Sequence, residues 1–293
     1  MLKTILVPLD GSSAAEIVFP FVEEIAARLG SKIILVTAAE PKPTDLYRLY
    51  DSYLEQVKEQ IQTQLKDYGV DKVTELYSKV LPGSPADEIL QYAEQADVDL
   101  IVMASHGSSR HGPWLLGNIA AKVLRVSRKP VLLIRAPAGN IALQEKRIIK
   151  RILVPLDGSV TGEAAISFAE TLGQALGAEL VLYRVLEPLT MWAGYVGADG
   201  YIPQGFFEDR KASAIAYLEG VRERLRERGL ITAIEVEAGP PADLIIDYSK
   251  SKAIDIIAMS THGRSGIGRW VFGSVTDKIL HSGDAAVLVV RAV

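Results

Sequence analysis

The sequence predicts an α/β fold made of two tandem, open, parallel five-stranded sheets flanked by helices, in a Rossmann-like arrangement. The first observation is a repeat: ILVPLDGS at residues 5–12 returns letter for letter at 152–159. The second is that short, nearly continuous apolar runs alternate within each copy with segments whose apolar residues recur at helical spacing. Such alternation is typical of a parallel sheet that helices cover on both faces.

Two further repeated segments indicate that the chain contains two copies of one domain. HG recurs at 106–107 and 262–263, and VLLIRA at 131–136 is answered by VLVVRA at 287–292. These landmarks are offset by 156 residues, whereas the opening segments are offset by 147, so copy two carries nine extra residues between them. A period of this length indicates tandem domains and not a solenoid.

The repeat sets the expected domain boundaries. We expect domain one at 1–138 and domain two at 148–293, with the joint in the structure-breaking segment 136–150. The nine extra residues are assigned to 187–207, which is rich in glycine and aromatic residues and shows no clean period. We interpret it as a long loop over one face of domain two.

Local patterns predict each element in turn. A helical pattern over 15–29 contains Pro20, which predicts a later start or a bend, and Gly30 is placed to end it. The other patterns of copy one predict strands at 4–8, 32–38, 72–80, 99–105 and 130–135, and helices at 44–68, 85–96 and 113–127. Copy two matches element by element, with its fourth strand at 255–261.

Composition excludes several classes of function. The net charge of −4 provides no basic field, so neither nucleic acid nor an anionic membrane is expected as a partner. The absence of cysteine excludes disulfides, thiolate zinc sites and a cysteine nucleophile. The N-terminus lacks the apolar core of a signal peptide, and no apolar run approaches a membrane span. We therefore expect a cytoplasmic protein.

Two loops in each copy are expected to form a binding site. Ligands of open α/β sheets bind beyond the carboxyl ends of the strands, where the strand order reverses. One loop follows strand one, as LDGSS or LDGSV. The other follows strand four: Ser260-Thr-His-Gly263, nine residues, then Gly273-Ser274, and in copy one Gly107, nine residues, then Gly117. Glycines that feed a helix N-terminus favour a phosphate, although they could equally form tight turns.

The sequence does not match other phosphate-binding motifs or common catalytic motifs. After Gly263 and Gly268, Arg269-Trp270 stands where a P-loop requires lysine and a hydroxyl residue, and no G-x-G-x-x-G opens a helix after strand one. There is no metal-spaced histidine pair and no Ser–His–acid set placed by the repeat. We therefore predict no catalytic residue and no protein metal site.

The whole chain resembles two universal stress protein domains in tandem. The resemblance rests on the ILVPLDGS opening, the MSTHGRSG…GS loop and the VLVVRA ending, which occur in that order twice. It implies a five-stranded, adenine nucleotide alpha hydrolase-like fold, frequent binding of ATP and pairing through the last strand. In this chain such pairing would form a pseudo-dimer, and two chains could associate further. The family's nucleotide loop reads G-2x-G-9x-G-S/T.

Carried over by position, the resemblance assigns a nucleotide site mainly to copy two. Gly263, Gly273 and Ser274 match the loop, whereas Ser260 replaces its first glycine. Copy one keeps Gly107 and Gly117 but has Ala104 first and Asn118 last. The assigned residues of copy two, in chain order, are Pro155, Asp157 (ribose), Val185 (adenine), Met259, Ser260, His262, Gly263, Gly273, Ser274 and Val275 (phosphates). Asp10 is the copy-one equivalent of Asp157.

The expected ligand is ATP, AMP or ADP, with Mg²⁺ carried by the phosphates. The resemblance therefore implies a regulatory adenine-nucleotide module. The sequence leaves alternatives open: a nucleotide-free dimerising scaffold, a slow ATP hydrolase, or a different ligand beneath an aromatic lid in 187–207. Asp10 and Asp157 could also serve only to stabilise a turn or to cap a helix.

Overall fold

The computed structural model describes residues 2–39, 44–68, 75–107, 116–135, 148–187, 205–261, 263 and 272–292. Copy one contains β1 (Thr4–Pro8), α1 (Ser13–Glu16), α2 (Phe19–Leu29), β2 (Lys32–Ala39), α3 (Thr44–Asp67), β3 (Leu76–Pro82), α4 (Pro85–Gln95), β4 (Leu100–Ala104), α5 (Asn118–Val126) and β5 (Val131–Ile134). Copy two contains β6 (Arg151–Pro155), a 3-10 helix (Gly162–Ala165), α6 (Ile166–Leu176), β7 (Glu179–Leu186), α7 (Phe206–Arg226), β8 (Thr232–Ala238), α8 (Pro241–Ser251), β9 (Ile256–Ser260), α9 (Ser274–Ser282) and β10 (Ala286–Val290).

The strands form one ten-stranded sheet in the order β3-β2-β1-β4-β5-β10-β9-β6-β7-β8. Each copy contributes five parallel strands, so the predicted fold class is confirmed. The two half-sheets meet where β5 and β10 pair antiparallel, with Leu133 opposite Val287 and Val131 opposite Val289. The last strands therefore pair with each other inside the chain, as the family resemblance implied.

Helices cover both faces of the sheet. Alternate strand residues point to opposite faces, and most strand residues outside β3 and β8 are buried. One face packs against α2, α3, α6 and α7, and the other packs against α4, α5, α8 and α9. Helices α2 and α6 also pack against each other, which adds a second contact between the copies. Among the described helices, none is both long and apolar enough to cross a membrane.

The predicted break in the first helix is real. Helix α1 ends before Ile17, and α2 begins with Pro20 in its first turn, where the missing N–H is tolerated. Gly30 then ends α2 in the left-handed conformation, with φ 66°. The third strand was predicted over 72–80, whereas its described part runs from Leu76 to Pro82. Most of the predicted joint and of the loop at 187–207 lies outside the described residues.

An aspartate before the fourth strand of each copy fastens the first strand. One oxygen of Asp255 (Oδ2) accepts hydrogen bonds from the amides of Lys150 (2.7 Å) and Arg151 (2.8 Å). Asp99 repeats the arrangement, since its Oδ2 accepts from the amides of Lys3 (2.7 Å) and Thr4. A single carboxylate thus ties together the starts of two neighbouring strands that lie about a hundred residues apart in the chain.

Two adjacent glutamates of α2 lie inside the protein. Glu24 is 1% exposed, and its Oε2 accepts hydrogen bonds from the amides of Ile148 and Ile149, both at 2.9 Å. Glu24 therefore binds copy one to the first residues of copy two. Glu23 is 6% exposed, and burial raises its pKa from 4.5 to about 7.

We expect Asp255→Ala to lower the free energy of unfolding by about 1–3 kcal/mol, because two amides lose their acceptor. Asp255→Asn retains an oxygen acceptor and should cost less. Urea denaturation of both variants beside the wild type measures the difference. An alanine variant as stable as the wild type would contradict the role assigned to this carboxylate.

We also expect Glu23→Gln to stabilise the protein above neutral pH. Because burial raises the pKa of Glu23 in the folded state, its contribution is fully favourable below pH 4.5 and is lost as pH rises through about 7. Glutamine carries no charge and should remove this loss. Urea midpoints from pH 4.5 to 8 test it.

Glu170→Gln is the matched control, since Glu170 holds the corresponding position in α6. Its carboxylate pairs with Arg228 at 2.7 Å, so its replacement should not stabilise the protein at pH 8. Equal pH profiles for the wild type and Glu23→Gln would refute the assignment.

Candidate ligand-binding site

A cavity of about 800 Å³ opens at the carboxyl ends of the strands of copy two. It lies where the strand order reverses, since β6 stands between β7 and β9 while the chain continues from β6 to β7. The walls come from the ends of β6, β7 and β9, from the first turns of α7, α8 and α9, and from the loops between them. Its size falls within the range usual for small-molecule and cofactor sites.

The structure brings most of the copy-two candidates together around this cavity. The candidates that line it are Pro155, Asp157, Val185, Met259, Ser260, Gly263, Gly273, Ser274 and Val275. His262 lies outside the described residues, as do Arg264 and Arg269. The sequence-predicted loops therefore do face each other across the sheet reversal.

Asp157 organises the loop after β6. Its Oδ1 accepts hydrogen bonds from the amide (2.9 Å) and the hydroxyl (2.6 Å) of Ser159, so the carboxylate closes a tight Asp-Gly turn. Oδ2 points towards Gly263, where an added Cβ would lie only 2.4 Å away. A side chain at 263 would displace this carboxylate, so the protein's own packing favours a glycine there.

Two threonines of copy two cross-link the loops of the cavity. The Thr161 hydroxyl donates to the carbonyl of Gly263 at 3.1 Å, which joins the loop after β6 to the loop after β9. The buried Thr276 hydroxyl donates to the carbonyl of Ser260 at 3.1 Å. The repeat places Ala14 and Ala120 at the corresponding positions of copy one, so both cross-links are peculiar to copy two.

Helix α9 points its N-terminus at the cavity. Gly273 is its N-cap residue, and the first helical hydrogen bond runs from the Asp277 amide to the Gly273 carbonyl at 2.9 Å. The amides of Ser274, Val275 and Thr276 precede that bond, and all three residues line the cavity. The helix dipole adds partial positive charge at the same place, so this end of the cavity favours an anion.

Nothing in the described part of the protein requires a glycine at position 273. Its φ of −60° and ψ of 150° suit any residue. Among the described residues, an added Cβ would meet only the Thr261 carbonyl oxygen, at an ordinary 3.7 Å. Gly117 in copy one differs, because a Cβ there would lie 3.1 Å from the Ser105 carbonyl oxygen. Gly273 is one of the residues that line the cavity, and no described atom crowds the position of its missing side chain.

Several lining residues escaped the sequence reasoning. Tyr183 and Arg184 precede the predicted Val185 on β7. The corresponding positions of copy one hold Val36 and Thr37, so comparison of the two copies gave no sign of them. The first turns of α7 supply one face, at helical spacing i, i+3, i+4, i+7: Phe206, Asp209, Arg210 and Ser213. That spacing was a signal in the sequence. Phe206 was proposed as part of an aromatic lid, and it does line the cavity.

The wall opposite α9 carries mixed charge. The Arg184 guanidinium lies over the Tyr217 ring at 5.1 Å, and the Arg210 guanidinium lies over the Phe206 ring at 5.6 Å. Glu187 and Asp209 add carboxylates to the lining. Burial raises the pKa of Tyr183 and of Tyr217, so both phenols stay neutral at physiological pH. Within the described ranges, no group of three or more His, Asp or Glu side chains could hold a metal ion.

Copy one repeats the turn after the first strand. Asp10 Oδ1 accepts from the amide (3.0 Å) and the hydroxyl (2.5 Å) of Ser12, and Oδ2 lies 2.1 Å from where a Cβ on Gly107 would be. Gly117 precedes α5 as Gly273 precedes α9. The three predicted residues Asp10, Gly107 and Gly117 thus keep the loop geometry.

Comparison with known proteins identifies the family. The family model described as the Universal stress protein family matches residues 1–135 and again 149–291. Universal stress protein Slr1230 of Synechocystis sp. is 25% identical over 315 residues, which cover 99% of this chain and 100% of that protein. A universal stress protein from Archaeoglobus fulgidus shares the fold over 100% of both chains, with a TM-score of 0.69 and 19% identity.

A universal stress protein in complex with cAMP is 25% identical and covers 46% of this chain and 97% of its own, with a TM-score of 0.36. The two segments that match the family model, 1–135 and 149–291, together span nearly all of the sequence and correspond to the two halves of the sheet. The chain therefore belongs to the universal stress protein family and carries two copies of its domain.

Proposed function

We propose that copy two binds ATP or a related adenine nucleotide and that the protein works as a nucleotide-dependent regulatory module in the cytoplasm. The observation that carries this proposal is Gly273. Neither its backbone conformation nor its contacts with the described residues require a glycine, and it stands at the N-terminus of a helix that faces a cavity. Close approach of a ligand phosphate to the backbone accounts for the missing side chain.

The proposed pose follows the chemistry of the walls. Phosphates lie against Gly273, the Ser274 hydroxyl and the Val275 amide, where the helix dipole favours negative charge. The base lies between the apolar side chains of Val185 and Met259, which line the cavity. Pro155 and Asp157 line the cavity at the end of β6, the strand between β7 and β9, and the Asp157 carboxylate accepts a hydrogen bond from a ribose hydroxyl.

Mg²⁺ in this proposal is brought by the nucleotide. The lining carboxylates Asp157, Glu187 and Asp209 come from different elements, and the described residues offer no cluster that would hold a cation. Magnesium commonly keeps several waters and takes its remaining ligands from phosphates. The pocket then needs to supply only donors for the phosphate oxygens, and the first turn of α9 supplies them.

Calorimetric titration of the apo protein with Mg-ATP tests the proposal. We expect one site per chain with micromolar affinity, since copy one lacks the threonine cross-links and has Asn118 in place of the hydroxyl residue. Two equal sites would refute the restriction to copy two. Absence of binding, together with absence of nucleotide in the purified protein, would refute the proposed function and favour a nucleotide-free scaffold.

We expect Gly273→Ala to weaken Mg-ATP binding at least about tenfold, a loss of roughly 1.4 kcal/mol. The methyl group meets no described protein atom closer than 3.7 Å, so folding stability should fall by less than about 1 kcal/mol, as for an N-cap exchange. Titration and thermal melting of the same sample measure both effects. Unchanged affinity would refute the phosphate position.

Gly117→Ala supplies the matched comparison for stability. Its Cβ would be forced to within 3.1 Å of a backbone oxygen, so this variant should melt at a lower temperature than Gly273→Ala. The reverse order would contradict our interpretation that only Gly273 faces open space.

A further inference from the structure

An arginine after the last strand of each copy crosses the seam between the half-sheets. Arg135 follows β5, and its guanidinium donates from Nη2 to the carbonyl of Ile279 at 2.7 Å and from Nη1 to the carbonyl of Gly283. Arg291 follows β10, and its Nη1 lies 3.3 Å from the carbonyl of Val126 and 3.4 Å from that of Ser127. Each copy therefore places a cation on the last carbonyls of the other copy's final helix.

The two contacts differ in closeness. Residue 283 is a glycine, and an added Cβ there would lie 3.1 Å from Nη1 of Arg135, so a side chain would crowd the guanidinium. The corresponding residue of copy one is Ser127, whose hydroxyl is engaged with the backbone of Lys129. Arg135 thus approaches the end of α9 more closely than Arg291 approaches the end of α5. Arg135 is partly buried, and burial lowers its pKa to about 10, so it remains charged at neutral pH.

Helix α9 connects this contact to the cavity. The helix has nine residues, so its two ends are separated by about 13 Å at 1.5 Å per residue. Ile279 lies in the last turn of the helix and Gly283 directly follows it, whereas Ser274, Val275 and Thr276 line the cavity at its amino end. The hydrogen bonds of the helix join its two ends, so a clamp that holds the carboxyl end also restricts where the amides at the amino end can lie.

We propose that Arg135 of copy one is a positioning residue for the anion-binding end of copy two. The copy with the poorer nucleotide motif is then part of the site in the other copy. This inference rests on the proposed function for its ligand, but its structural part does not, because the clamp fixes α9 whether or not a nucleotide is present. Arg291 performs the reciprocal task for α5.

The test compares Arg135→Ala, Arg135→Lys and the matched Arg291→Ala in the full chain. We expect Arg135→Ala to weaken Mg-ATP binding about tenfold and Arg135→Lys to recover part of the loss, whereas Arg291→Ala should change affinity less than twofold. Both alanine variants should lower the melting temperature, so stability alone cannot produce the difference in affinity.

Amide hydrogen exchange of α9 supplies a readout that needs no ligand. The amides of residues 277–282, which donate the hydrogen bonds of the helix, should exchange faster in Arg135→Ala than in Arg291→Ala. Unchanged exchange there, or full affinity in Arg135→Ala beside a wild type that binds ATP, would overturn the inference. A wild type that binds no ATP would instead refute the proposed function, and faster exchange in Arg135→Ala would then still support the clamp.

Discussion

The antiparallel pairing of β5 with β10 is the constraint on which the rest of the molecule depends. Each half-sheet alone would end in an apolar edge strand, β5 or β10, whose backbone N–H and C=O groups would be unpaired along one side. Pairing Val131 with Val289 and Leu133 with Val287 satisfies both edges at once and leaves only the more exposed strands β3 and β8 at the outside. The same seam brings Arg135 and Arg291 within reach of the opposite copy's helix ends.

Much of this arrangement could be predicted from the sequence because apolar runs and breakers act locally. The strands at Thr4–Pro8 and Lys32–Ala39, the break near Pro20 and the end at Gly30 each follow from neighbouring residues. The hydrogen bonds by which Asp99 and Asp255 hold the first strand of each copy could not be predicted in this way. Asp255 has meaning only beside the amides of Lys150 and Arg151, and that proximity is created by the strand order.

The candidate site, too, could be predicted only in part from the sequence. Comparing the copies marks what they share, so it found Asp157, Gly263 and Gly273. It could not mark Arg184 or Tyr183, because these are the residues by which copy two differs. The sequence alone also could not distinguish two kinds of glycine. Gly263 makes room for a carboxylate some hundred residues earlier in the chain, whereas Gly273 lines the cavity and is not crowded by any described atom. Only the three-dimensional neighbours distinguish a packing requirement from a place for a ligand.

Joining the two copies in one chain changes the physics of the seam. In a dimer of separate chains, a β5–β10 interface would dissociate on dilution, and each substitution would appear on both sides of the axis. Within one chain the partner strand is present at an effective concentration set by the connection, so the interface persists however scarce the protein is. The two sides are also free to diverge, which is how residue 127 can be serine while residue 283 is glycine.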